Sequence, residues 1–209
     1  NAGREIATFL IDRLKVQQRD AGVRHDMIDA VVAVETGGDN VRMVNRVRAL
    51  QAFVETDEGR DLLTAYKRAA NILKKEGREG PGPQIMSSSA EDGIPQTGEE
   101  DPLALVEEPI LREAIAEMAS GAAGADLPQE QALIAALDEA EPRASAAIAA
   151  EDFTGAMAAL ATLRGPIDAF FEHVKVNDSD AGKREARLNL LGRFRDAVNQ
   201  VADFSKIEG

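Results

Sequence analysis

The 209-residue chain has no cysteine and no tryptophan, and it carries one tyrosine, seven phenylalanines and two histidines. Without cysteine there is no disulfide framework, no thiolate metal site and no cysteine nucleophile, a composition that fits a reducing cytoplasm. Aromatic residues make up 4% of the chain while hydrophobic residues, many of them alanine, make up 44%. That balance suits closely packed helices better than sheets of β-branched and aromatic strands, so the expected class is all-α. No apolar run approaches the roughly 20 residues of a membrane span. The opening NAGREIATFL lacks the basic start and long apolar stretch of a signal peptide. A start at Asn1 with a helical pattern almost at once is what a piece of a longer polypeptide would show.

Recognisable catalytic motifs are missing too. His25 stands beside Asp26, but a metal centre needs further ligands nearby and the second histidine comes only at His173. Asp26 reads instead as the cap of the helix it opens. GREGPGP has neither the spacing nor the Lys-Ser/Thr ending of a phosphate loop, there is no GxSxG, and no pair of carboxylates is set apart as acid and base. No catalytic site is expected in these residues, and binding is the better class.

Positive charge is scarce overall, with a net charge of −13 that argues against indiscriminate nucleic-acid binding. The deficit is local. Residues 1–80 carry 14 Lys and Arg against 13 Asp and Glu, residues 81–150 carry 2 against 14, and residues 151–209 carry 8 against 10. Both flanks are close to neutral and can present basic surfaces.

What is present is helical periodicity. A first helix over about 3–20 ends at Gly22. A short apolar helix from Asp26 is expected to be buried. A third turns Val44, Val47, Leu50 and Phe53 inward and Arg42, Asn45, Arg46 and Arg48 mostly outward. The fourth, capped by Thr56 or Asp57, contains RDLLTAYKRAANILKKEGR. It places Leu62, Leu63, Tyr66, Ala69, Ala70 and Leu73 on one face and Arg60, Thr64, Lys67, Asn71, Lys74, Lys75 and Arg78 on the other. Its acidic first turn and basic last turn complement the helix dipole. Periodicity then stops: 77–101, rich in Gly, Pro, Ser and acids, is read as a flexible acidic insertion. An acidic helix over about 102–120 is followed by helices at about 128–140, 142–150 (with Pro142 at the first helical position), 152–164 and 166–174. Short turns are expected to make these antiparallel neighbours, and a last helix over 183–204 to be the longest of this half. HVKVN at 173–177 reads as a helix end and loop. The phenylalanines read as core, Phe170 and Phe171 included, although these two are adjacent and point about 100° apart, which leaves room for one at an edge. The Tyr66 hydroxyl has a path to the surface. Arg187 projects into the apolar stripe of the last helix, and Asp168 is the expected partner. The organisation is 1–76, a linker or insertion at 77–101, and 102–209, the two helical parts packing as one domain.

DRLKVQQRDAGVRHDMIDAV, RVRALQAFVETDEGRDLLTAYKRAANILKKE, PIDAFFEHVKVN and RLNLLGRFRDAVNQVADFSKIEG together resemble the C-terminal part of the beta subunit of bacterial glycyl-tRNA synthetase, over nearly the whole chain except about 77–125. The resemblance implies an all-α anticodon-binding domain of the DALR type that is itself non-catalytic. It further implies glycine tRNA as ligand and an alpha subunit as partner in a heterotetramer of two alpha and two beta chains, which works in cytoplasmic protein synthesis. ATP and Mg would serve the alpha subunit, with no cofactor in this piece and no membrane or DNA partner. The expected tRNA-facing set is Arg13, Lys15, Arg19, Lys67, Arg68, Asn71, Lys74 and Lys75, the lysines meeting phosphates and Asn71 suited to a base edge. The other class kept open is a helical protein-protein interaction module or subunit scaffold, with the acidic helix and alanine-rich hairpins as its contact surface.

Overall fold

The computed structural model of the chain describes Arg13, Val16 and residues 22–35, 40–78 and 125–208. These hold seven α-helices and one 3-10 turn, and among the described residues there is no strand. The helices are α1 (His25–Val32), α2 (Asn40–Val54), α3 (Asp57–Lys75), α4 (Pro128–Ala149), α5 (Phe153–Ala161), α6 (Arg164–His173) and α7 (Ala181–Asn199), with the 3-10 turn at Phe204–Lys206. Arg13 and Val16 are helical. The rest of the expected first helix, most of the acidic insertion and the helix over 102–120 lie outside the described residues. No described helix is long and apolar enough to cross a membrane.

Helix α3 is the element most others pack on: it touches α2, α5, α6, α7 and the 3-10 turn. Its expected inner face is the observed one, with Leu62, Leu63, Tyr66, Ala69 and Leu73 buried and Ala65 joining them. The Thr56 hydroxyl caps the helix, accepting from the Gly59 amide at 3.0 Å, a bond that contributes about 1 kcal/mol. At the other end Gly77, at φ +72°, turns the chain left-handed. The Arg78 amide returns to the Leu73 carbonyl at 2.8 Å and the Gly77 amide to that of Lys74 at 3.0 Å. This pairing satisfies carbonyls that the end of a helix leaves open.

Several expectations are corrected. Pro142 does not open a helix; it lies inside α4, which at 22 residues is longer than the 19-residue α7. A proline removes one ladder bond and crowds the preceding turn, and Pro142 lies on the exposed side of the helix. The core face runs on past it through the buried Leu137, Ala140 and Ala144. Arg193 also grips the turn before it, donating to Asp138 Oδ1 at 2.6 Å and Glu141 Oε1 at 2.9 Å. Helix α6 packs on α4 and α3 rather than chiefly on its sequence neighbours.

In α2 the buried stripe is Met43, Val47, Leu50 and Val54, rotated from the one expected, and it includes Arg46. Arg46 donates from Nε to the Val201 carbonyl at 2.6 Å and from Nη2 to that of Gln200 at 2.6 Å, while Nη1 meets Glu35 at 2.9 Å. It is buried because it supplies donors to carbonyls at the end of α7. Asp26 is not a helix cap either. Arg24 occupies that position, and the Asp26 carboxylate accepts from the Arg24 guanidinium and from the amides of Met27 (3.0 Å) and Glu208 (2.9 Å). It fastens the end of the described chain to α1. Burial works to raise its pKa, but these donors outweigh burial and hold the carboxyl below its ordinary value. Tyr66 is buried and stacks against Phe204 at 5.6 Å. Its hydroxyl meets Asn199 rather than the surface, and burial pushes it above the ordinary phenol value.

Candidate nucleic-acid interface

The face of α3 opposite its core stripe presents the residues that the amphipathic pattern placed there, with Arg68 of the expected tRNA-facing set beside them. Arg60, Thr64, Arg68, Asn71, Lys74 and Lys75 are exposed and Lys67 is half-buried. Their spacing follows from the helix itself, since residues three, four and seven apart share a face. The two ends of the stripe are engaged within the protein. Arg60 donates to Asp57 at 2.6 Å and to the Glu55 carbonyl at 2.9 Å. Arg78 reaches α7, donating to Asn189 Oδ1 at 2.6 Å and pairing with Glu185. Between these ends, on one side of two consecutive turns, lie Lys67, Arg68, Asn71, Lys74 and Lys75.

Beside this face lies an open groove of about 390 Å³, walled by the last turns of α3, the end of α6 and the loop over 174–180. Arg68, Lys75, Phe171, Lys175, Asn177 and Arg184 line it, with Glu76 as its acidic residue. Glu76 pairs with Arg184. Phe171 is half-buried, its ring centroid 4.3 Å below the Arg68 Cζ. Phe170 is wholly buried and meets the Phe171 ring edge-on at 5.8 Å. The core reading therefore holds for Phe170 and is corrected for Phe171, which lies at the edge.

The 174–180 loop is fixed from beneath. Arg187 is buried at 4% exposure, and Asp168, its expected partner, is exposed on α6. That pairing is corrected: Arg187 pairs through Nε with Glu130 of α4, and through Nη1 with Asp178 Oδ2 at 2.6 Å and the Lys175 carbonyl at 2.8 Å. Asp168 follows Ile167, which takes the inner face of α6, so the carboxylate turns away. Glu130 is 1% exposed. It also accepts from the Leu127 amide at 2.8 Å, closing the first turn of α4. Asp178 in turn accepts from the Asp180 amide at 3.0 Å. That bond, then Arg187 beside it, lowers the Asp178 pKa to about 2. Asp180 caps α7 through the Gly182 and Lys183 amides.

The remaining expected residues stand apart from this arrangement or outside it. Arg13 is exposed on a helical turn. Lys15 and Arg19 lie outside the described residues. His25 and His173 are both exposed, and among the described residues no three His, Asp or Glu are grouped to hold a metal ion. Sequence reasoning did not single out Lys175, Asn177 and Arg184 because they belong to a loop and to the start of α7, and only the packing of α3 on α6 and α7 brings them to the same face.

Residues 62–208 match the family model of the DALR anticodon binding domain, a span that contains most of α3 and every other wall of the groove. The chain is also similar to proteins described as glycine-tRNA ligase beta subunits. It is 42% identical over 207 residues to that of Rhodospirillum centenum, and 99% of this chain aligns with 25% of that relative. It is 40% identical over 205 residues to that of Paracoccus denitrificans, with 98% of this chain against 25% of the relative. With the protein of Phenylobacterium zucineum it shares 41% over 206 residues, 98% of this chain against 26%. The chain thus spans about a quarter of the length of these relatives. An all-α bundle matched by this model over 62–208 belongs to the DALR anticodon-binding domain family.

Proposed function

We propose that this chain is the tRNA-binding part of a glycine-tRNA ligase beta subunit and holds glycine tRNA at its anticodon region. The observation that carries the reading is the family match over 62–208: it falls on the part of a net acidic chain where α3 and α7 collect cations along a groove. The lysines at 67, 74 and 75 neutralise phosphates, which supplies affinity and register. Base contacts beside them supply identity. Aminoacylation itself belongs to a partner alpha subunit that uses ATP and Mg, in a cytoplasmic assembly of two alpha and two beta chains, and this chain contributes by positioning the tRNA.

The test is a binding assay with the full-length beta chain, comparing glycine tRNA with the same tRNA carrying a changed anticodon. Anticodon-sensitive binding is expected. Replacing Lys67, Lys74 and Lys75 together by Ala should weaken binding and make the salt dependence shallower by about two units, at roughly 0.7 per lost phosphate contact on single strands. Unchanged affinity with an intact fold would remove the α3 face from the interface. Binding to an alpha subunit with none to tRNA would replace the reading by that of a subunit scaffold.

A further inference from the structure

The central cation of the α3 face differs from its neighbours in kind. Lys67, Lys74 and Lys75 are flexible point charges, whereas Arg68 carries a planar group. That plane is already held in position. The Arg68 Cζ sits over the Phe171 ring, 4.3 Å from its centroid, and Arg68 Nη2 donates to the Phe171 carbonyl at 3.5 Å, the long limit of a hydrogen bond. Phe171 is itself braced edge-on by the buried Phe170, so the stack is rooted in the core. Arg68 remains exposed, and the groove opens beside it. The groove volume of about 390 Å³ lies within the range of small-ligand sites. Lys75 and Lys175 give it positive charge for a ribose-phosphate strand, Arg184 being held by Glu76, and Asn177, exposed on its wall, has both a donor and an acceptor for a base edge.

We infer that the outer face of the Arg68 guanidinium is a stacking platform for one unstacked nucleobase of a bound single-stranded RNA segment. The strand's phosphates run past Lys75 and Lys175, and Phe171 acts as the positioning residue beneath the platform. The inference rests on the tRNA-binding reading and assigns Arg68 a role that charge alone does not provide. A guanidinium plane stacks on bases, and an ammonium of equal charge does not. An Arg68 that merely shields Phe171, or merely meets a phosphate, would be replaceable by lysine.

The experiment uses the full-length beta chain and glycine tRNA carrying 2-aminopurine at one anticodon-loop position at a time. The wild-type protein should change the fluorescence at one position in the way stacking does. Arg68→Lys should abolish that change and weaken binding about tenfold, within the span set by base stacking on proteins, while leaving the salt slope unaltered because the charge is kept. Phe171→Leu should reproduce both effects and Phe171→Tyr should rescue them, with melting curves run on each variant. Arg68 is exposed, so its lysine variant is expected to fold. If Arg68→Lys binds as tightly as wild type and leaves the fluorescence unchanged, the platform is overturned while the tRNA-binding reading stands. If the wild-type protein shows no anticodon-dependent binding at all, that reading falls and the platform falls with it.

Discussion

Arg187 offers the sharpest test of what holds the groove loop in place. Its side chain is 5% exposed and that of Glu130 is 2% exposed, so replacing Arg187 by Met leaves a carboxylate buried without its counter-charge. Breaking a buried pair from one side costs about 3–5 kcal/mol. The lower end applies here because Glu130 keeps the Leu127 amide, 2.8 Å away. At about 2–4 °C per kcal/mol for a chain of this size, the melting temperature should fall by roughly 6–12 °C. The double variant Arg187→Met with Glu130→Leu removes both charges and should recover most of that loss, because a buried pair replaced by apolar side chains is often neutral in net stability. Asp168→Asn, on an exposed position of α6, should change stability by less than about 0.5 kcal/mol. Denaturant titration of the four proteins gives the comparison. A loss below about 1 kcal/mol for Arg187→Met, or an equal loss for Asp168→Asn, would refute the assignment of Glu130 as the partner.

Two further predictions follow from local geometry. A Cβ added at Gly59 would lie 1.9 Å from the Phe53 carbonyl oxygen, a backbone atom at the tight α2–α3 corner; Gly59→Ala should therefore destabilise by about 1–3 kcal/mol or more in a thermal melt, despite alanine's better helix propensity. Asp178, with its pKa lowered to about 2 by the Asp180 amide and Arg187, binds fewer protons folded than unfolded. Its contribution is therefore complete above the unfolded value near 4 and disappears as pH falls from about 4 to 2. Asp178→Asn should flatten that part of the stability-pH profile, and a profile identical to wild type would refute the pairing.

The sequence revealed the elements well where one face is apolar and the other charged, and poorly where a polar residue belongs to the buried face. Helix α3 is the first case: its cap and buried side chains follow from spacing. Arg46 and Glu130 are the second. Arg46 falls in register with Met43, Val47, Leu50 and Val54, and Glu130 stands three and seven residues before Leu133 and Leu137 on the buried stripe of α4. The reasoning that flagged Arg187 as a charge within an apolar stripe applies equally to Glu130, and would have offered it as partner. Asp168 was the wrong choice because proximity in sequence was taken for proximity in space, whereas α6 and α7 each pack on α3 and α4. Pro142 reads locally as a helix start because proline favours the first helical position, and only the buried stripe through Leu137, Ala140 and Ala144 carries α4 through it.

The groove was less legible for a reason that also explains how a chain of net charge −13 carries a basic face. Net charge adds every ionised group, while a ligand meets only those left unmatched at one surface. In this bundle several arginines are consumed internally: Arg46 by Glu35 and two carbonyls, Arg187 by Glu130 and Asp178, Arg193 by Asp138 and Glu141. A count of arginines therefore overstates the binding surface in the second half of the chain. The lysines at 67, 74, 75 and 175 stand half-buried or exposed near Arg68, whose Cζ lies over the Phe171 ring. Structural arginines and surface lysines divide the positive charge by the geometry each can satisfy. Arg68 departs from that division as an exposed planar cation over the Phe171 ring, and that placement is the ground on which a base, rather than a phosphate, is inferred as its ligand.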